Sequence, residues 1–176
     1  MDEKIIATKA IYDGRLVKLD VHDIELPDGR RSQREVIRHP GAVAIVPLDA
    51  QQQVFLVRQY RIAADQITLE VPAGTLEPGE LPLTCAEREL QEEIGYRATS
   101  LEPLGGFYVA PGYTTEYIHL YLGTDLTKAA LPQDDDEFIE VQRMPLADAL
   151  ELINSGEIND SKTMASLLRV ARKLGI

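Results

Sequence analysis

The sequence predicts a fold of the α/β (α+β) class: a mixed domain preceded by an extension of antiparallel strands. Three observations carry this. Residues 4–38 read as extended segments punctuated by turn signals. The nearly continuous apolar run GAVAIVPLD (41–49) is what a strand covered on both faces looks like. A helix opened by Pro82 is followed by more strands and then by two helical stretches at the C-terminal end. At 176 residues the chain fits one domain with an elaboration, drawn here as strands over 1–40 and the main domain over 41–176.

The first strands, KIIATKAIYD and RLVKLDVHDIEL, flank a turn at Gly14. Val17, Leu19 and Val21 alternate, and after a shift Ile24 and Leu26 do too. Pro27-Asp28-Gly29 is a turn signal, and RRSQREVIRHP then resumes an extended pattern up to Pro40. These strands bury little by themselves, so they are expected to pack on the rest of the chain, on a second subunit, or on both. GAVAIVPLD and VFLVRQYR (54–61) are joined by a polar hairpin ending at Gln53. QITLEVPAG (66–74) is the next extended run, broken by Pro72-Ala73-Gly74.

The helix starts near Pro82, a residue suited to the first helical position. Leu83, Ala86, Leu90 and Ile94 recur at spacings of three and four and predict its apolar stripe. Residues 98–126 read as strands broken at Gly105-Gly106 and Pro111-Gly112. LPQDDDEFIEVQRM then places five acids between 134 and 140 and ends in a β-type segment. Pro145 opens a helix to about Ile153. Asp160 caps a final helix whose expected inner face is Met164, Leu167, Leu168, Ala171 and Leu174.

Composition narrows the function. A net charge of -11 argues against a nucleic-acid partner, which needs a basic surface. It also means that an anionic substrate has to be recruited through bound cations and local arginines. Cys85 is the one cysteine, so no intrachain disulfide forms, and it reads as a small buried helix residue. The start MDEKIIATKA lacks the apolar core of a signal peptide, and no stretch approaches a membrane span, so no membrane association and a cytoplasmic location are expected. His22, His39 and His119 show no zinc or triad spacing, and His119 reads as structural.

The chemistry concentrates in GTLEPGELPLTCAERELQEEIGY (74–96), where Glu80, Glu87, Glu89, Glu92 and Glu93 crowd together. Glu89 and Glu93 are i,i+4 neighbours and Glu92 is at i+3 from Glu89, so like charges cost the helix roughly 0.2–0.5 kcal/mol per pair. Arg88 can bridge to Glu92 without neutralising the whole cluster. Hard divalent cations such as Mg²⁺ and Mn²⁺ prefer such carboxylate oxygens. The order of fixed residues, from Gly74 through Glu80, Arg88-Glu89-Leu90 and Glu92-Glu93 to Gly95, resembles the Nudix box, GX5EX7REUXEEXGU, at every fixed position. Tyr96 stands where the last position is usually aliphatic, and its ring can still be buried. GAVAIVPLD, VRQYR and LEVPAG before the box resemble the ADP-ribose pyrophosphatase branch, as do YVAPGYTTE, DEFIEV and GEIND-KT after it.

That resemblance implies an α/β/α sandwich around a mixed sheet, and hydrolysis of ADP-ribose to AMP and ribose 5-phosphate with two or three Mg²⁺ or Mn²⁺ ions per active site. By position it implies metal ligation by the Ala73 carbonyl, Glu89, Glu92 and Glu93, with Glu80 and Arg88 orienting the ligands. It places Arg61 on the diphosphate, with Arg58 and Glu116 near the substrate. Glu70 either joins the metal network or faces solvent. Glu137 corresponds to a loop general base, with Asp135 its nearest rival, Asp134 and Asp136 blurring the register, and Glu92 next in line. Arg34 and Glu35 correspond to adenine or ribose contacts reaching in from the partner of a homodimer, in which the N-terminal strands exchange.

Other readings compete with this one. A hydrolase of another nucleoside diphosphate sugar, such as GDP-mannose, differs only in a few side chains around the base. A non-catalytic ADP-ribose binding module is disfavoured because the box is intact, and a DNA-binding relative needs a basic extension that this chain lacks. An isopentenyl-diphosphate isomerase needs a catalytic cysteine outside the helix, whereas Cys85 lies within the box.

Overall fold

The computed structural model describes residues 2–132 and 138–176. The chain forms two compact units: Met1–Gly41 with Tyr108–Tyr117, and Ala42–Phe107 with Ile118–Ile176.

The first unit is a three-stranded antiparallel sheet in the order β1 (Lys4–Asp13), β2 (Lys18–Glu25), β3 (Arg31–Arg38). The turn between β2 and β3 closes where expected, with Gly29 at φ +83 and its N–H donating to the Leu26 carbonyl at 2.9 Å. Glycine suits that left-handed backbone because it has no Cβ to clash. Asp20 is buried in β2 and paired with Arg38 Nε at 2.5 Å. Every residue of β1 is exposed, including Ile5, Ile6, Ile11 and Tyr12. The Tyr108–Tyr117 segment returns to β3 through Ile37, whose N–H donates to the Tyr113 carbonyl at 2.7 Å.

The second unit carries two sheets. One is mixed, in the order β7 (Ala73–Thr75), β4 (Ala42–Pro47), β9 (Tyr117–Lys128), β8 (Tyr96–Tyr108). In it β4 runs parallel to β9 and antiparallel to β7. The other is antiparallel, in the order β10 (Glu140–Pro145), β5 (Gln53–Arg61), β6 (Gln66–Glu70). Side chains alternate across the strands, and this splits the core in two. Val43, Ile45, Phe55 and Val57 pack with Cys85, Ala86 and Leu90 of α1 (Pro82–Glu93). Ala44, Val46, Val54 and Leu56 pack with α2 (Leu146–Ser155) and α3 (Ser161–Leu174). Helices therefore cover both faces of the sheets, as the α/β/α expectation requires. Among the described residues, no helix is long and apolar enough to cross a membrane.

Helix α1 begins at Pro82 as predicted, and Asp160 caps α3 by accepting from the Thr163 N–H at 2.9 Å. Three expectations are corrected. Leu83 is exposed, and Cys85 takes its place on the inner face of α1. In α3, Leu168 and Leu174 are exposed while Thr163, Ser166 and Val170 are buried. The Ser166 hydroxyl donates to the Lys162 carbonyl at 2.6 Å, and Thr163 is likewise hydrogen-bonded, so small polar side chains sit inside without an unmet partner. Finally, Gly105-Gly106 does not break β8. The strand passes through with Gly105 at φ +84, a conformation that glycine accommodates.

Candidate active site

Helical spacing brings Glu89, Glu92 and Glu93 of α1 close together, and packing then removes two of them from water. Glu89 is 7% and Glu93 2% exposed, while Glu92 is half-buried. Buried carboxylates need charged or hydrogen-bonding partners, and Arg88 supplies one to Glu89. Its Nε and Nη2 donate to Glu80 Oε1 and Oε2 at 3.0 and 3.1 Å, a two-pronged grip. Its Nη1 donates to Glu89 Oε1 at 2.7 Å and to Glu92 Oε2 at 2.9 Å. Arg88 holds the Glu80 carboxyl below its ordinary value, and Glu80 in turn helps to keep the guanidinium firmly protonated. Arg88 thus reaches more of the cluster than the single bridge to Glu92 that helical spacing suggests.

The backbone of β7 lies against the same carboxylates. The Ala73 N–H donates to Glu93 Oε2 at 3.1 Å. At Gly74 a Cβ would fall 1.7 Å from Glu89 Oε1 and 1.9 Å from its carboxyl carbon, so only glycine lets the chain approach this closely. The Cys85 thiol sits beneath this strand, 3.6 Å from the Thr75 carbonyl oxygen.

A second charged cluster is centred on Glu70 at the end of β6. Its carboxylate is 1% exposed, which removes the solvent-facing alternative. Arg61, at the end of β5, grips it with Nε at 2.9 Å and Nη2 at 2.7 Å, Thr68 Oγ1 donates at 2.5 Å, and Lys162 Nζ donates from α3. Burial alone would raise the Glu70 carboxyl, but Arg61, Lys162 and Thr68 outweigh it and lower it to about 2. Glu70 is the main reason that Arg61 is held more firmly protonated than usual, with smaller contributions from Glu93 and Asp160, so the two clusters feel each other. Sequence reasoning missed Thr68, and it singled out Lys162 and Thr163 within GEIND-KT without giving either a role. A further signal is local: a lysine in the first turn of a helix, where the dipole disfavours cations.

The remaining candidates are more scattered. Arg58 lines an open cleft of about 520 Å³ together with Gln59, Tyr60, Ile67, Phe138 and Glu140. Arg34, Glu35 and Glu116 belong to the first unit. There Arg34 pairs with Glu3 at 2.5 Å, Glu35 is exposed opposite Val21, and the Glu116 N–H donates to Thr114 Oγ1 at 3.1 Å. Glu137 and Asp135, with Asp134 and Asp136, lie outside the described residues. His119 is half-buried in β9, and burial lowers its pKa.

Among the described residues, no three His, Cys, Asp or Glu side chains are gathered into a ready-made metal cage. The donor chemistry still suits a hard divalent cation, because two buried carboxylates lie against a close-approaching backbone and Arg88 is shared among Glu80, Glu89 and Glu92.

Residues 38–167 match the NUDIX domain family, and residues 3–37 match the nucleoside diphosphate sugar hydrolase N-terminal domain. The chain belongs to the Nudix family. This Nudix hydrolase is 44% identical to the methanol dehydrogenase activator of Bacillus methanolicus, over 94% of this chain and 91% of that one. It is 41% identical to the ADP-ribose pyrophosphatase of Bacillus subtilis (strain 168), over 93% of this chain and 89% of that one. The crystal structure of an ADP compounds hydrolase superposes with a TM-score of 0.89 at 27% identity, covering 99% of this chain and 95% of that one. The Nudix fold expected from the box is therefore the fold observed.

The contact at Gly74 generates a test within this Nudix hydrolase. Gly74→Ala is expected to displace Glu89 and to lower turnover on the order of a hundredfold, the cost of misplacing a catalytic group by about 1 Å, while circular dichroism stays native. Wild-type turnover in the folded variant would show that the Glu89 position does not matter to the reaction.

Proposed function

We propose that this Nudix hydrolase cleaves the pyrophosphate of ADP-ribose to AMP and ribose 5-phosphate, using two or three Mg²⁺ or Mn²⁺ ions. The observation that carries the pyrophosphatase chemistry is the pair of buried carboxylates, Glu89 and Glu93, set against the Ala73–Gly74 backbone. The similarity to an ADP-ribose pyrophosphatase along nearly the whole chain supports the choice of sugar. In this reading the Ala73 carbonyl, Glu89, Glu92 and Glu93 hold the ions, while Glu80 and Arg88 fix the carboxylate positions. Arg61 binds the diphosphate, with Arg58 and Glu116 beside the substrate, and Glu70 serves by anchoring Arg61. Ions held there would supply charge neutralisation of the diphosphate and a more acidic water. Water adds to one phosphorus, the bridging P–O bond breaks with its electron pair leaving on the departing phosphate, and a carboxylate takes the water's proton.

A panel of nucleoside diphosphate sugars assayed with Mg²⁺ or Mn²⁺ tests the substrate. ADP-ribose is expected to be cleaved fastest, and chelation is expected to abolish turnover. Faster cleavage of GDP-mannose moves the assignment to that sugar, and activity that persists in chelator overturns the metal reading.

The carboxylate that takes the proton is assigned to Glu137, with Asp135 and then Glu92 as rivals. Glu137→Gln should lower kcat by on the order of a hundredfold or more, the usual scale of general-base catalysis, with KM and metal affinity nearly unchanged. Near-normal kcat in this variant passes the role to a rival.

The protein is further proposed to be a homodimer in which the N-terminal strands exchange and Arg34 and Glu35 reach the partner's substrate. The fully exposed β1, with Ile5, Ile6, Ile11 and Tyr12 uncovered, supports this, because bare apolar edge strands invite pairing. Light scattering at micromolar concentration should give twice the chain mass of 19.6 kDa, and a monomer would overturn the proposal.

A further inference from the structure

Lys162 stands against the usual electrostatics of a helix. It occupies the first turn of α3, where the positive end of the helix dipole disfavours a cation, and its side chain is only 14% exposed. Two carboxylates keep it there: Glu70 through Oε2, and Asp160, whose Oδ2 lies 3.0 Å away. None of the roles given above uses this lysine. Local rules tend to be broken where function requires it.

The consequence falls on Arg61. Glu70 Oε1 accepts from Arg61 Nε and Thr68 Oγ1, and Oε2 accepts from Arg61 Nη2 and Lys162 Nζ. The carboxylate is therefore saturated, and Arg61 meets it along one edge only. Among the described residues Arg61 Nη1 has no acceptor, and the side chain is 42% exposed. If the lysine charge is removed, a buried anion is left with one cation and an open acceptor position. Arg61, the more exposed partner, is then the group drawn further in. The same turn of α3 is tied to the strand that leads to the metal-binding backbone. Thr163 Oγ1 accepts from the Val71 N–H at 2.9 Å and donates to Asp160 Oδ2 at 2.6 Å, which keeps Lys162 in register with Glu70.

We propose that Lys162 is a positioning residue for the hydrolase: it saturates Glu70 and so keeps Arg61 Nη1 available to the diphosphate of the substrate. This rests on the reading of Arg61 as the diphosphate ligand. Arg61 binds the diphosphate in both ground and transition states, so losing its alignment weakens binding more than chemistry.

The test is a double-mutant cycle of Lys162→Met and Arg61→Met, read on whichever nucleoside diphosphate sugar the wild type cleaves fastest and on ADP binding by calorimetry without metal. Lys162→Met is expected to raise KM and weaken ADP binding by about tenfold, the scale of one charge-assisted contact, with kcat within about threefold. Lys162→Arg is expected to restore most of the loss. In the Arg61→Met background, Lys162→Met should add no further loss of affinity. Losses that multiply in the double variant overturn the proposal, as do unchanged KM and ADP affinity in a Lys162→Met protein of native circular dichroism. If Lys162→Met does not fold, Lys162→Gln, which keeps a neutral donor, enters the same cycle under the same criteria. A wild type that prefers GDP-mannose overturns the ADP-ribose reading alone, and a wild type that cleaves nothing on the panel leaves ADP binding to decide the role of Lys162.

Discussion

Glu89, Glu92 and Glu93 repel one another along α1, and the Arg88 guanidinium allows them to share a folded, largely buried stretch of helix. On an exposed helix such repulsion is a matter of roughly 0.2–0.5 kcal/mol per pair. Burial raises the stakes, because a carboxylate taken out of water costs several kcal/mol if it is left uncompensated. Arg88 spends its two-pronged face on Glu80 and its remaining amino group on Glu89 and Glu92, and that geometry also sets where the acids lie. Arg88 is shared among Glu80, Glu89 and Glu92, so the carboxylates beside the Ala73–Gly74 backbone outnumber the guanidinium that joins them.

The two helical layers divide the work. Helix α1 carries the acids on one side of the sheets, and α3 on the other side reaches Glu70 and Val71 from its first turn. The segment from Glu70 to Gly74 is therefore held from both layers, by Lys162 and Thr163 at one end and by Glu89 and Glu93 at the other. A short strand with few ladder bonds of its own gains its definition from these side chains.

Much of this is legible in the sequence, and the failures have physical reasons. The box and its helix can be read because the residue types recur at fixed spacing and Pro82 marks the start. The cap at Asp160 can be read because a short polar side chain is competent to cap alone. The inner faces of α1 and α3 are misread at Leu83, Leu168 and Leu174 because hydrophobicity is a weak guide where Cys85, Thr163 and Ser166 fit better and find partners. The strand through Gly105-Gly106 is misread because a glycine pair also permits a local kink within a strand. Lys162 and Glu70 are 92 positions apart, and nothing local to either predicts their meeting.

Cys85 has a practical consequence. The thiolate is the reactive form of cysteine, and here burial, then the nearby Glu89 carboxylate, push the thiol well above its ordinary value. The side chain is fully buried, so alkylating and maleimide reagents meet neither an exposed sulfur nor an ionised one at neutral pH. Because it is the chain's one cysteine, any cysteine introduced on the surface is the single reactive thiol of the molecule. Fluorophores or spin labels can thus be placed one at a time on the native background, without first removing a buried residue of the acidic helix itself.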